Sequence, residues 1–392
     1  MTITINNKNK KPNVPNLRFK EFQGEWEKQK LCDISSIVGR IGFRGYTTND
    51  IVEKGMGAIA LSPTNIVNNQ LTYDKENTYI SMSKYEESPE IMIKRGDVIF
   101  VKTGSTVGKV AYVDKMICKT TLNPQVVVLK DIKCDNYILS VIMSTRKFQN
   151  KIQRITVGGA VPTLSQMAMG NIFISLPAAK EQEKISKFIS LLDERIATQN
   201  KIIDKLQTLI KGLSNKIFES LQGQECRLGD IATITNGNSN VQDAITEYKD
   251  DLYPFFDRSE EIKYLPTFLF DKEAIIYPGE GAEFFPRYFN GKFALHQRCY
   301  AIFDFNKAVN PQFLYCFLKT QNSYFIRNAV GSTVPSLRLD TFQKLKVVVP
   351  SKETQSIVSS LLFTLEKKHN TEKMLLQTLL KQKHYLLRQM FI

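Results

Sequence analysis

The segment Gly104-Ser-Thr-Val-Gly108-Lys109 has the glycines and the lysine of a phosphate-wrapping loop, so nucleotide hydrolysis is the first chemistry to weigh. It is one residue short of that motif and lacks a Ser or Thr after the lysine. It also continues as Val110-Ala-Tyr-Val113, a strand pattern where a helix is required. Asp251 followed by Glu261-Ile-Lys263 imitates the carboxylate–carboxylate–lysine order of metal-dependent nucleases. With 39 acidic and 53 basic residues, chance explains that order, and a solvated loop is the better reading. His296, His369 and His384 have no cysteine or carboxylate constellation around them, and the six cysteines contain no CxxC pair. No glycine-rich strand-to-helix fingerprint for a dinucleotide or S-adenosylmethionine is present. Asn123-Pro124-Gln125 is not the Asn/Asp-Pro-Pro-Tyr motif of amino-methyltransferases. The sequence reads as a binder.

The elements that would position a binding site occur twice. Val161–Phe218 returns as Val334–Phe391 at a constant offset of 173 residues. Each copy opens Val-Pro-Thr/Ser-Leu and passes through an alternating apolar run closed by Pro177 or Pro350. Each then meets a Gln (Gln182; Gln355) and enters a long amphipathic segment. Ile185, Phe188, Leu192, Ile196, Ile203, Leu206, Ile210, Leu213 and Ile217 recur at the spacing of a helix that buries one face on another helix. Val358, Leu361, Leu365, Leu376, Leu379, Leu386 and Met390 repeat it. Ahead of each copy lies a β-rich stretch, from Trp26 and again from Cys226, followed by helical spacing at 137–155 and at 312–327. The order of elements is shared, while the loops share almost no residues. Divergent loops on a duplicated scaffold suggest two related sites tuned to different ligands.

Composition sets the class of ligand. A length of 392 residues suits several domains, and no apolar run approaches the ~20 residues of a membrane span. Scattered cysteines and an N-terminus without a signal-peptide core fit a reducing cytoplasm. The net charge is +14, with +6 in residues 25–180 but −1 in 223–350. The excess favours a polyanion, although the second half offers no uniform phosphate-binding surface.

The residues now in view resemble the specificity (S) subunit of type I restriction–modification systems, often called HsdS, over nearly the whole chain. Asn16-Leu-Arg-Phe-Lys20, Gly24-Glu-Trp26 and Leu31-Cys-Asp-Ile34 are similar to the entry to its first target-recognition domain. Gly39–Tyr46, Gly96–Phe100 and Asn123-Pro-Gln125 are similar to that domain's sequence, and the Pro177…Gln182 and Pro350…Gln355 junctions to entries of its two conserved helices. The resemblance implies an α+β architecture with an internal pseudo-twofold repeat. Two mixed α/β target-recognition domains (25–180 and 223–350) would be separated by two long antiparallel helices (181–222 and 351–392), a coiled-coil-like spacer, after a basic arm (1–24). It implies a non-catalytic, cytoplasmic subunit that reads double-stranded DNA, one domain per half-site. The subunit would dock two methyltransferase (M) subunits, joined by restriction (R) subunits in the full complex. S-adenosylmethionine, ATP and Mg would belong to those partners, and this chain would hold no cofactor. Residues 181–219 as one helix are about 58 Å long, or at most about 17 base pairs, before domain width is subtracted. That leaves roughly five to eight undefined base pairs between half-sites.

Cationic and polar side chains on glycine-permitted loops are the residue types that reach base edges and phosphates. In the first domain these are Arg40, Arg44, Tyr46, Lys102, Ser105, Thr106 and Lys109. In the second they are Asn236, Asn238, Arg258, Arg287, Tyr288 and Arg298. Thr163 and Ser336 hold equivalent places in the repeated turns, as phosphate contacts or as turn residues. On the helices Ile189, Ile202, Leu209, Leu362, Leu375 and Leu387 lie off the pairing stripe. They form a second packing surface for a partner, or are covered by the chain's own domains. Two other classes stay open: a coiled-coil scaffold with two protein-binding heads, and a stand-alone DNA-modifying enzyme.

Overall fold

The run Val126-Val-Val-Leu129 is apolar at every position because both faces of its strand are covered. Val127 and Leu129 join Val98 and Phe100 on one face, against the helix Asn136–Ser144. Val126 and Val128 join Ile99 and Val101 on the other, against Ile59 and Leu61. The structure, a computed structural model, describes residues 13–74 and 76–392. Most of the basic stretch of the N-terminal arm therefore lies outside the described residues. The chain divides into two units, Met1–Ala197 with Gln377–Ile392, and Thr198–Leu376.

In the first unit a six-stranded sheet runs in the order 36–39, 126–130, 98–101, 110–112, 70–71, 66–67. A four-stranded sheet (120–122, 58–61, 78–80, 51–52) covers one side. In the second unit the six-stranded sheet runs 233–236, 299–303, 270–278, 287–295, 253–256, 263–265. The first four strands of the two orders correspond one for one, and every neighbouring pair among them is antiparallel. Each unit adds a two-stranded ribbon, Glu27–Lys30 with Phe173–Leu176 and Gln224–Arg227 with Lys346–Val349.

Two local readings are corrected. Residues 137–155 are two helices, Asn136–Ser144 and Arg146–Ile155, because Thr145 is extended and its Oγ1 caps the second by accepting from Phe148 N–H. Residues 312–327 likewise split into Pro311–Lys319 and Asn322–Asn328. Within the β-rich stretches, Leu31–Ile34 and Leu228–Ile231 are single helical turns.

The repeated glutamines are clamps. Gln182 Oε1 accepts from Asp135 N–H at 2.8 Å while its Nε2 donates to Pro177 C=O at 2.8 Å. Gln355 accepts from Asn310 N–H at 2.7 Å and donates to Pro350 and Ala308 C=O, each at 2.9 Å. Asp135 and Asn310 are the N-caps of the two domain helices, so each glutamine ties a cap to the proline that ends the preceding strand.

The first long helix is Ala179–Ser220 and the second is Lys352–Met390. In the first unit Ile185 and Ile189 share a core with Leu386, Leu387 and Met390, and Asp193 pairs with Lys383. In the second unit Gln199 meets Glu372, and Ile217 and Phe218 pack with Val358 and Leu362. Numbers rise along one helix as they fall along the other, so the pairing is antiparallel. Asp193 accepts from Tyr137 Oη at 2.7 Å, and its repeat equivalent Glu366 accepts from Lys319 Nζ at 2.5 Å. Each acid fastens a domain helix to a long helix. Ile189 and Leu362, equivalent positions, are fully buried by the chain itself, and Leu387 is partly buried against the first core. Ile189 and Leu362 are therefore removed from the partner surface, while Leu387 keeps part of its side chain accessible. Ile202, Leu209 and Leu375 stay exposed.

Candidate nucleic-acid interface

In both units the loops at one end of the central strands are stitched together by the same backbone bonds. In the first unit Leu164 N–H donates to Lys102 C=O at 2.8 Å and Gly104 N–H to Pro162 C=O at 2.9 Å. Val157 and Thr163 exchange a pair at 3.0 and 2.8 Å. In the second, Leu337 N–H donates to Gly279 C=O at 2.8 Å and Gly281 N–H to Pro335 C=O at 3.0 Å. Val330 and Ser336 exchange a pair at 2.8 Å. The Val-Pro-Thr/Ser-Leu repeat is thus a buckle on a glycine loop. Gly104 and Gly281, at φ +105° and +145°, hold conformations that L side chains resist. Thr163 Oγ1 is turned to Val161 C=O at 3.3 Å. The backbones of Thr163 and Ser336 are held in the same turn of the two repeats.

The phosphate-loop resemblance of residues 104–109 ends in the strand Val110–Tyr112, which is antiparallel to Val98–Val101. The loop displays Ser105 and Lys109 to solvent with Lys102 and Thr106 half-buried beside them, and neither lysine forms an ion pair among the described residues. Arg44 Nη1 lies 3.3 Å from Glu90 Oε1 at the surface.

Arg40 is a correction: it is only 5% exposed. Its guanidinium donates to Leu122 C=O at 2.8 Å, Arg44 C=O at 3.1 Å and Thr121 Oγ1 at 3.1 Å, and it lies over the half-buried Tyr46 ring. Burial lowers its pKa and raises that of the Tyr46 hydroxyl. This pair braces the loop from inside. In the second unit backbone groups meet the corresponding carbonyl, since Asn238 and Ser239 N–H both donate to Leu295 C=O, which stands four residues before Cys299 as Leu122 stands four before Val126.

Tyr288 is a second correction. Its hydroxyl is bonded to Glu273 and its ring packs on Tyr315 and Phe363, so it faces helices. Burial and then Glu273 push its pKa up to about 12. Arg287 is partly committed: Nη2 donates to Asp257 and Ser259 C=O, while Nη1 is buried without a hydrogen-bond partner among the described residues. Asn236 Nδ2 donates to Gln297 C=O at 3.3 Å, and Asn238 and Arg258 are exposed. Arg298 is exposed and held by Glu280.

The nuclease-like acids come apart. Lys263 Nζ is 2.6 Å from Asp257, a buried carboxylate that also accepts from Ser259 N–H and Oγ, while Asp251 and Glu261 are exposed. Burial works against that charge, but the Lys263 and Ser259 bonds outweigh it and hold Asp257 below the usual carboxylate range. Asp257 was missed because in the sequence it is one of several close charges, with Arg258, Glu260, Glu261 and Lys263, and only the fold singles it out by burying it on Lys263 and Ser259.

A sheet domain with stitched, divergent loops, present twice and joined to a pair of antiparallel helices, defines a duplicated recognition protein. The family described as the type I restriction modification DNA specificity domain matches residues 23–208 and again 223–381. The chain belongs to that family and carries its domain twice. It is similar to the EcoDI specificity subunit of Escherichia coli, with 30% identity over 35% of this chain and 30% of that one. It is also similar to the MjaIX specificity subunit of Methanocaldococcus jannaschii, with 21% identity over 90% of this chain and 89% of that one. The first of these matches spans under a third of the relative's length. The type I S subunit from M. genitalium has the same fold, with a TM-score of 0.66 at 18% identity, covering 97% of this chain and 99% of that chain. A chain from a type I restriction–modification complex-assembly study aligns with a TM-score of 0.53 at 14% identity, over 92% and 96%. Among the described residues no helix is long and apolar enough to cross a membrane.

Proposed function

We infer that this chain is the non-catalytic DNA-specificity subunit of a type I restriction–modification complex in the cytoplasm. Residues 25–180 and 223–350 each read one half of an asymmetric, bipartite duplex target. The two long helices dock two methyltransferase subunits, with restriction subunits added in the full assembly. The observation that carries this is the stitched loop platform, built by the same bonds twice yet presenting Lys102, Ser105 and Lys109 in one copy and Asn238, Arg258 and Arg298 in the other. Identical platforms with different side chains suit two different half-sites. Cofactors for methyl transfer and cleavage belong to the partners in this reading, and the exposed Ile202, Leu209 and Leu375 are among the apolar positions open for docking.

The test is to map adenine methylation in cells expressing this chain with its cognate methyltransferase subunit, against the methyltransferase alone. A gapped, asymmetric motif with roughly five to eight undefined base pairs, seen only with this chain, is expected from the helix length. An ungapped or palindromic motif overturns the bipartite reading. Loss of salt-sensitive DNA affinity in a stable complex would return the protein-binding scaffold to first place.

A further inference from the structure

The strand register aligns two residues of different type, Gln125 and Arg298, which also lie at the repeat's offset of 173. Gln125 immediately precedes the strand Val126–Lys130, and Arg298 immediately precedes the corresponding strand Cys299–Phe303. Both sit at the end of the same turn. Gln125 N–H donates to Asn123 Oδ1 at 2.9 Å, and Arg298 N–H donates to His296 Nδ1 at 3.3 Å. Val126 N–H reaches Asn123 C=O and Cys299 N–H reaches His296 C=O. Both carbonyls face the glycine loop: Gln125 C=O accepts from Lys102 and Thr103 N–H, and a Cβ on Gly279 would lie 2.0 Å from Arg298 C=O. These are one position, occupied by glutamine in one repeat and arginine in the other.

The side chains there are held but not used up. Asn123, itself 8% exposed, donates through Nδ2 to Gln125 Oε1 at 3.3 Å. That leaves the second lone pair of Oε1 and the Nε2 donors without a partner among the described residues. A Cβ at position 104 would stand 3.3 Å from Gln125 Nε2, so the glycine keeps the approach to the amide open. Arg298 is 63% exposed and gives Nη1 to Glu280, so its other edge is uncommitted among the described residues. Each group has one polar neighbour that restrains it while leaving a donor edge open, as a bidentate reader needs. An uncharged amide gains little from a phosphate, whereas its donor–acceptor pair matches adenine N6 and N7. The guanidinium fork matches guanine O6 and N7.

Resting on the specificity reading above, we propose that Gln125 and Arg298 are the equivalent base-reading residues of the two repeats. Gln125 takes an adenine in one half-site, and Arg298 takes a guanine in the other. Asn123 and Glu280 are the positioning residues.

The experiment maps adenine methylation by the full complex carrying Q125A, Q125R or R298A. Q125A is expected to relax discrimination about tenfold or more at one adenine, on either strand, of one half-site and to leave the other half-site intact. Q125R should exchange that adenine for guanine, and R298A should relax one guanine in the opposite half-site. The intact half-site reports that the chain is folded. Motifs unchanged in all three variants overturn the proposal, as do two effects in the same half-site. Uniformly weaker methylation at an unchanged motif overturns it in favour of a phosphate contact. If Q125A abolishes methylation, Q125E keeps the Asn123 bond. Competition by duplexes each altered at one position then decides, with a shift from adenine towards cytosine expected and equal competition overturning the assignment. Failure of the unsubstituted chain to specify any gapped motif refutes the specificity reading itself, a distinguishable result.

Discussion

Gln199 Nε2 donates to the carboxylate of Glu372 at 2.5 Å and to its backbone carbonyl at 3.2 Å, and the two residues are 173 positions apart. That separation is the offset of the internal repeat. A residue touches its own repeat equivalent only where a twofold axis passes between the two. The helix pair therefore has a local axis at this bond, and the divergence from Gln to Glu makes the contact a donor–acceptor pair instead of two like groups. Lys368 Nζ, 2.6 Å away, supplies the counter-charge of Glu372.

The bonds from Lys368 and then Gln199 hold the Glu372 carboxyl below its ordinary value of 4.5. A depressed folded-state pKa contributes stability that is present above the unfolded value and lost as pH falls through the folded one. Thermal unfolding between pH 7 and pH 3 should show a loss beginning near pH 4.5. E372Q should flatten that part of the profile. An unchanged profile would show that other carboxylates set the acid limit.

The glutamine clamps predict an ordered pair of losses. Q182A leaves Asp135 N–H and Pro177 C=O unpaired, and Q355A leaves Asn310 N–H, Pro350 C=O and Ala308 C=O unpaired. Each buried orphan costs about 1–3 kcal/mol, so Q355A should destabilise more than Q182A in denaturant unfolding. The reverse order would mean that water reaches the second clamp.

Arg18 forks onto Glu181, with Nε and Nη2 each 2.7 Å from a carboxylate oxygen, and the Glu181 side chain is 0% exposed. The arm residues 13–24 dock here, since Leu17 N–H also bonds Gln389 C=O at the end of the second long helix. R18A leaves a buried charge without its partner and should cost about 3 kcal/mol. E181Q in the same background should recover part of it, as read by unfolding of the double variant.

How much was legible in the sequence depended on distance along the chain. The offset of 173 and the amphipathic stripes are periodicities, so the long helices and the repeated Val-Pro-Thr/Ser-Leu turn could be read directly. Arg40 could not be separated from Arg44, because both stand in one glycine-punctuated stretch. Only the approach of Leu122, 82 positions away, spends Arg40 on the interior. Ile189 and Leu362 were misplaced because the domains bury the face that helix periodicity left open. Gln125 escaped notice because a neutral residue beside a proline carries no charge signal, and although Arg298 lies at the repeat's offset of 173, only the strand register places the two at one position of the turn.

That separation of the two arginines is measurable. R40A should destabilise the first unit by about 2 kcal/mol through the unpaired Leu122 and Arg44 carbonyls, with the methylation motif unchanged in the folded fraction. R44A should leave stability nearly unchanged and cost about 1–3 kcal/mol at one base position if it reads a base. A motif change in R40A with full stability would reverse the assignment.

Charge asymmetry gives the last prediction. Residues 25–180 carry +6 and residues 223–350 carry −1, so on the proposed reading the first domain supplies most of the counterion release on binding. Lys109 is exposed, forms no ion pair among the described residues, and stands on the glycine loop beside the proposed reader Gln125. A lysine there is a point charge suited to phosphate, and a phosphate contact carries no sequence information. K109A in the full complex should therefore lower the slope of log K against log salt by about 0.9 and weaken all duplexes alike. Arg258 stands among acids, with Asp257 before it and Glu260 and Glu261 after it, so part of its charge is already balanced. R258A should change the slope less than K109A. Equal slopes would place the backbone grip on both domains, and the near-neutral half would then owe its hold to positioned cations rather than net charge.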